Sequence, residues 1–313
     1  MPATKLDARR YTSLPVRPMR TTDDNMDGPG GRPRVESREV EESGVVARPG
    51  WAHRLCVTAA AVALALTSAV DASDAVTSYE QRALVPAYFY PDHWSTPNPW
   101  HSMCDELGQD GPGSIAVMNP YNGPDKTRNP DYQQVLTHCQ AAGQKVIGYV
   151  HTSYGRRSAR AVRADIDAYY RYYPTIDGIF LDEMSNSAAT QPYYSGLYRH
   201  VKGRSTTRDI VVGNPGAAAT TSWQLDTPVA DTVVVFEGSA STFATWSPPQ
   251  WTLAQPASNV AHLVHASPDA ASMAAGCARS QQLNGGYAYV TDDQLPNPWD
   301  SLPSYWTEAV SSC

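Results

Sequence analysis

The sequence predicts an α/β protein: a single (β/α)8 barrel of the TIM type over residues 76–313, preceded by a leader and a signal peptide. Three observations carry that prediction. Short apolar, β-branched or aromatic runs recur eight times after residue 83, mostly separated by helical or loop-like sequence, and such a barrel typically takes about 250 residues. Runs such as Val233-Val234-Val235-Phe236 are continuously apolar, as strands buried on both faces of a parallel sheet are. Polar and aromatic residues gather at the C-terminal ends of the runs, whereas the N-terminal ends carry Gly, Lys and Thr. The alternative, a doubly wound open sheet, is disfavoured because no GxGxxG or P-loop follows any run.

Residues 1–54 hold 10 Lys/Arg and 8 Asp/Glu with Pro and Gly punctuation and no apolar periodicity. Such a segment buries too little apolar surface to offset ordering, so it reads as a disordered leader. Residues 55–75 begin with the apolar run Leu55–Leu66 behind Arg48, His53 and Arg54, and continue into small residues. That is the pattern of a signal peptide, and the run is shorter than the roughly 20 residues that span a bilayer. A signal peptide so far from the N-terminus suggests a later translation start, at Met26, Val45 or Val46, with a signal-anchored chain as the alternative.

The expected strands are Leu84–Tyr90, Ser114–Asn119, Lys145–His151, Gly178–Glu183, Asp209–Asn214, Thr232–Glu237, Val260–His265 and Gly286–Thr291. Between them, Ser158–Tyr173 is the clearest helix, because Val162, Ile166, Tyr169 and Tyr173 fall on one face. Asp131–Ala142, stopped by Gly143, is a second. Tyr193–Val201 and Ala270–Leu283 are others. The interval after strand five is weak, and Thr242–Trp251 with Pro248-Pro249 reads mostly as loop.

Composition narrows the function. A formal charge of −7 offers no net positive field to nucleic acid, and a mean hydropathy of −0.42 excludes a polytopic membrane protein. The chain has 18 Tyr and 8 Trp against 4 Phe, a bias toward rings with a polar handle that suits sugar or peptide clefts. Outside the signal segment the cysteines are Cys104, Cys139, Cys277 and Cys313. Of the three possible pairings, sequence proximity favours Cys104–Cys139 and Cys277–Cys313, as in an exported protein. No cysteine sits at zinc spacing, so neither metal nor cofactor is expected.

Catalytic groups of a barrel sit where its strands end. There Asp182-Glu183 and Glu237 terminate apolar strands, and an ionised carboxylate so placed is costly unless paired or hydrogen-bonded. Two carboxylates flanking a bond are what glycoside hydrolysis needs. Strand alternation lets only one of Asp182 and Glu183 face the barrel axis. Structural ion pairing, for example with Arg156 or Arg157, is the competing explanation. Tyr88, Tyr90, Asp92, Asn119, His151, Tyr154, Asn214, His265 and Asp292 share the same rim and are candidates for binding sugar. Trp94 joins the aromatic residues that would either stack on sugar or cap the core.

The motifs Val85–Pro91, Asn119-Pro120 with Gly123-Pro124, Val146–Gly155, Asp165-Ile166-Asp167, Gly178–Glu183, Asn214-Pro215-Gly216 and Phe236-Glu237 together resemble the spherulation-specific family 4 (spherulin 4) proteins. That resemblance implies a (β/α)8 barrel whose characterised fungal member is an endo-acting hydrolase of α-1,4-linked galactosamine-containing exopolysaccharide. It also implies that Asp182, Glu183 and Glu237 form the acidic site. The chain departs from the family at Tyr121-Asn122, where small residues are usual, which leaves the substrate open. The reading is a secreted, monomeric glycoside hydrolase with a polysaccharide substrate, with Asp182 as nucleophile or charge stabiliser, Glu237 as general acid and Glu183 as competitor for either role. A non-catalytic carbohydrate-binding or spore-surface barrel, or a hydrolase of another glycan, is the alternative.

Overall fold

The computed structural model describes residues 80–92 and 94–313; the expected leader and signal peptide lie outside the described residues. Strand β1 (Arg82–Ala87) is followed by β2 (Ile115–Met118), β3 (Lys145–His151), β4 (Gly178–Asp182), β5 (Ile210–Gly213), β6 (Thr232–Ser239), β7 (Val260–His265) and β8 (Tyr287–Val290). Each strand pairs in parallel with the next, and β8 returns to β1 to close the barrel. Closure excludes the open doubly wound sheet. Tyr88–Tyr90, Glu183, Asn214 and Thr291, expected at strand ends, fall just beyond the strands, in the rim loops.

The helices form where caps and apolar spacing agree. Helix α1 (Pro99–Gln109) occupies an interval for which no helix is expected. Asn98 caps it by accepting from the N–H groups of Trp100 and His101, and Trp100, Met103, Cys104 and Leu107 are buried. Pro99 reads as a breaker, yet it stands at the first helical turn, where its missing N–H costs nothing. Helices α2 (Pro130–Ala141) and α3 (Ala159–Tyr172) are capped by Asn129 and Ser158. Next come α4 (Gln191–Lys202) and the four-residue helices α5 (Trp223–Asp226), α6 (Ala240–Phe243) and α7 (Gln250–Leu253). Asp269 caps α8 (Ala270–Gln282), and α9 (Trp306–Ser312), also not expected, ends the chain. Disulfides join Cys104 to Cys139 and Cys277 to Cys313, the favoured pairing. They tie α1 to α2 and the last residue to α8.

The N-terminal end of the barrel is braced by two acids. Asp177, just before β4, accepts from the Val146 N–H (2.9 Å) and from Gln140 Nε2 (2.8 Å), with Lys145 Nζ 3.6 Å away. Asp231, just before β6, accepts from the Val211 N–H (2.8 Å), the Tyr198 hydroxyl (2.8 Å) and Lys202 Nζ (2.8 Å). Each carboxylate thus holds its own strand to the preceding one and is neutralised by a lysine.

One irregularity decides which way the C-terminal end of β6 faces. Val234 pairs with Ala261, but Phe236 pairs with His262 and Glu237 with Leu263. The extra residue, Val235, is a β-bulge, which reverses the alternation of side chains beyond it. Phe236 turns outward onto Phe243 and Trp246 (ring centroids 4.7 and 5.0 Å). Glu237 turns inward, sharing a face with Val234 three residues earlier.

Candidate active site

Strand β4 delivers Asp182 to the C-terminal end of the barrel, on the same face as Phe180. Tyr149 projects from β3 beside them, its ring 6.4 Å from Phe180, and its hydroxyl donates to Asp182 Oδ2 at 2.8 Å. Asn214 follows β5 directly, and its amide nitrogen donates both to Asp182 Oδ1 (2.8 Å) and to Glu237 Oε2 (2.7 Å). The amide orientation is fixed from behind, since Asn214 Oδ1 accepts the Gly216 N–H at 2.9 Å. Two oxygens lying 2.8 and 2.7 Å from one nitrogen are at most 5.5 Å apart, the sum of those lengths. The acids at the ends of β4 and β6 therefore meet across one neutral amide.

Their electrostatics follow from enclosure. Burial, then the charge of Glu237, pushes Asp182 up to about 7, against the hydroxyl of Tyr149 and the N–H of Glu183, which favour its anion. Burial also raises Glu237, opposed by hydrogen bonds from Asn214 and Trp299. Among the described residues neither acid forms an ion pair. Two such carboxyls titrate as a pair, and enclosure shifts both upward. Tyr88 packs edge-on against Tyr149 at 5.4 Å, and both phenols are raised well above their ordinary value, first by burial and then by the Asp182 charge. They therefore stay protonated, as donors.

Glu183 leaves the pair. Its φ of 49° ends the strand and turns its side chain to the rim, with Oε2 3.8 Å from His151 Nδ1. Its carbonyl accepts from the Tyr154 N–H (2.7 Å) and the Thr152 hydroxyl (2.7 Å). Ser153 and Tyr154 also have positive φ, 49° and 56°. Such conformations cost about 1–3 kcal/mol each for non-glycine residues and cluster at functional sites. His151 is lowered by burial and then by the Arg157 charge. His265 is lowered by burial, and its ring lies edge-on to Trp299 at 6.3 Å.

Four residues expected to bind sugar also hydrogen-bond within the rim. The Tyr90 hydroxyl donates to Asp131 Oδ2 at 2.5 Å, beside the N-cap of α2. Asp92 holds a turn, accepting from the Trp94 N–H (2.9 Å) and the Ser95 hydroxyl (2.8 Å). Asn119 Oδ1 accepts the Gly123 N–H at 2.9 Å, closing the loop after β2. Asp292 accepts from Ser304 on the way to α9. Each builds a rim loop with the polar group that made it a candidate.

Two site residues lie outside the expected set. Tyr149 reads in sequence as a core aromatic of β3. Trp299 lies nine residues past the end of β8, and its carbonyl accepts the Tyr88 N–H at 3.0 Å, bringing the last rim loop against Glu237. The only signal for it is an aromatic after Asn297-Pro298, downstream of a strand end. Among the described residues no cluster of three His, Cys, Asp or Glu side chains is placed to hold a metal, and no helix is long and apolar enough to cross a membrane.

Fold and site together define a class: a closed (β/α)8 barrel with an amide-bridged carboxylate pair at its C-terminal rim. The particular family follows from the sequence. Residues 82–313 match spherulation-specific family 4, and the chain belongs to it. It is 36% identical to Spherulin-4 of Physarum polycephalum over 178 residues, 55% of this chain and 50% of that protein, so it spans about half the length of that relative. The crystal structure of Aspergillus clavatus Sph3 in complex with GalNAc shares the fold, with a TM-score of 0.61 at 22% identity, covering 75% of this chain and 97% of that one.

Proposed function

We propose that this protein is a secreted glycoside hydrolase that cleaves, in endo fashion, an exopolysaccharide containing α-1,4-linked galactosamine or N-acetylgalactosamine. The observation that carries the reading is the pair Asp182 and Glu237, enclosed, without cations, and bridged by Asn214. Family membership and the GalNAc complex of the fungal neighbour support the sugar class. Both disulfides suit an oxidising compartment, and export through residues 55–75 belongs to the same proposal.

Three donors converge on Asp182: the Tyr149 hydroxyl, the Asn214 amide and the Glu183 N–H. These donors favour the anion of Asp182 against the burial that raises it. Asp182 is therefore assigned as the nucleophile in the substrate complex, and Glu237 as the general acid. An Asp182 oxygen bonds to the anomeric carbon as the bond to the leaving oxygen breaks, and Glu237 gives that oxygen its proton. Glu237 then takes a proton from water, whose oxygen displaces Asp182 and regenerates both groups. In an α-linked N-acetylhexosaminide the acetamido group is cis to the leaving oxygen and cannot attack from behind, so an enzyme carboxylate or a water must. An oxygen separation of at most 5.5 Å favours retention of configuration, since inverting pairs stand about 6.5–9.5 Å apart.

The test is reducing-end release from a panel of neutral and amino polysaccharides. Wild type is expected to cleave the α-1,4-galactosamine polymers, and Asp182→Asn and Glu237→Gln to lose that activity. Undiminished release by both variants would remove the assignment. Binding without release by the wild type would favour a carbohydrate-binding barrel.

A further inference from the structure

The rim holds a second pattern that the chemistry at Asp182 does not use. Among the described residues five large apolar side chains are strongly exposed: Trp94 (94%), Tyr121 (54%), Tyr154 (41%), Leu295 (63%) and Leu253. Leu253 ends α7, before the chain enters β7 from the N-terminal end of the barrel. The other four occupy the loops after β1, β2, β3 and β8. In the closed barrel those strands are consecutive, in the order β8-β1-β2-β3. They make up one half of the rim, and the carboxylates and their amide, on β4, β5 and β6, stand on the other.

The three aromatic rings are held out by built turns rather than left on loose loops. Trp94 follows the turn that Asp92 closes through both carboxylate oxygens. Tyr121 stands in the loop that Asn119 closes onto Gly123, with Asn122 at φ 49° and Gly123 at φ 141°. Tyr154 lies in the left-handed run Ser153–Gly155, pinned to the Glu183 carbonyl, with the Arg156 guanidinium 5.6 Å from its ring. Water gains nothing from three exposed aromatic faces on ordered turns. A sugar ring does, because its apolar C–H face stacks on an aromatic ring while its hydroxyls stay solvated.

We infer that Trp94, Tyr121 and Tyr154 form an aromatic arc of distal subsites, which seats successive sugar units of a polysaccharide and delivers the chain across the rim to the carboxylate pair. The arc gives a role to Tyr121, the position at which the chain departs from its family's usual small residues. It also accounts for Asp92 and Asn119, polar residues at strand ends that hold the turns behind two of the rings. This inference deepens the glycosidase reading, and the binding half of its test stands without hydrolysis.

The test uses the full chain with Glu237→Gln, so that binding is read without turnover, in gels containing soluble α-1,4-linked N-acetylgalactosamine polymer, its de-N-acetylated form, or a neutral glucan. Retardation by at least one polymer is expected. Trp94→Ala, Tyr121→Ala and Tyr154→Ala, added singly, are each expected to weaken it about fivefold, the loss of one stacking contact. Trp94→Tyr should restore most of it. With Glu237 intact, the ratio of kcat/KM on polymer to that on a disaccharide glycoside should fall by a similar factor in each alanine variant. An unchanged thermal midpoint confirms folding. Retardation by no polymer, alanine variants that bind as the parent does, or an unchanged polymer-to-disaccharide ratio would each overturn the arc. Absence of hydrolysis with arc-dependent retardation would instead sink the glycosidase reading and leave the arc standing.

Discussion

Strands β4 and β6 each carry an acid at both ends, and the two ends treat them oppositely. At the N-terminal end, Asp177 and Asp231 accept backbone N–H groups and face Lys145 and Lys202. At the C-terminal end, Asp182 and Glu237 face each other across Asn214, and among the described residues no cation pairs with them. The first arrangement stabilises two anions and uses them as fasteners between strands. The second leaves like charges together, so that a proton is retained where water would have removed it. Burial is common to both ends; the counter-charge makes the difference. A barrel can thus spend the same residue type on stability at one end and on reactivity at the other.

The largest effect that would test this contrast is on turnover. Glu237→Gln should lower kcat on the galactosamine polymer by about 10³-fold with little change in thermal midpoint, and a loss under tenfold would show that the upper pair is not the reacting pair. At the other end Asp177→Ala should destabilise folding by about 3 kcal/mol, because the Val146 N–H, Gln140 and Lys145 lose their common partner. Denaturant unfolding measures this, and activity per folded molecule should stay at the wild-type level.

The pH dependence of stability reports on the upper pair. Asp182 is raised to about 7 when folded, above an unfolded value of about 3.9. Its contribution to stability is therefore complete below the unfolded value and is lost as pH rises through the folded one. Asp182→Asn should raise the thermal midpoint over wild type at pH 8, and that advantage should vanish by pH 4. An advantage that grew toward pH 4 would mean that the donors around Asp182 outweigh its burial. The smallest effect belongs to Lys145→Met: Lys145 is half exposed, and its removal should cost about 1 kcal/mol.

Much of this was legible in the sequence because it depends on local pattern. Apolar runs ending in Asp182 and Glu237 mark both the strands and the acids, whereas alternation does not reach Glu183, which the left-handed turn after β4 places instead. The bulge at Val235 was not legible. Val233–Phe236 is uniformly apolar, so no alternation reveals which residue is extra. Asn214 reads equally as a turn former and as a ligand, since its bridging role exists only once β4, β5 and β6 lie side by side. Trp299 reaches Glu237 through closure of a long loop, which no periodicity records. Tyr90, Asp92, Asn119 and Asp292 are ambiguous for the opposite reason: polar residues at strand ends are also what closes turns.

The bridging amide has a further property, in chemical ageing. Asparagine side chains deamidate when the next residue's backbone nitrogen attacks the amide carbon, and the residue after Asn214 is Pro215, which has no N–H to offer. Conversion of Asn214 to aspartate would place a third carboxyl group between the two acids, and the sequence closes the ordinary route to it. Asn122, exposed and followed by Gly123, keeps that route open. In an old preparation of this protein, spontaneous charge change would accumulate in the outer loop that displays Tyr121, while the spacer between the acids stays neutral.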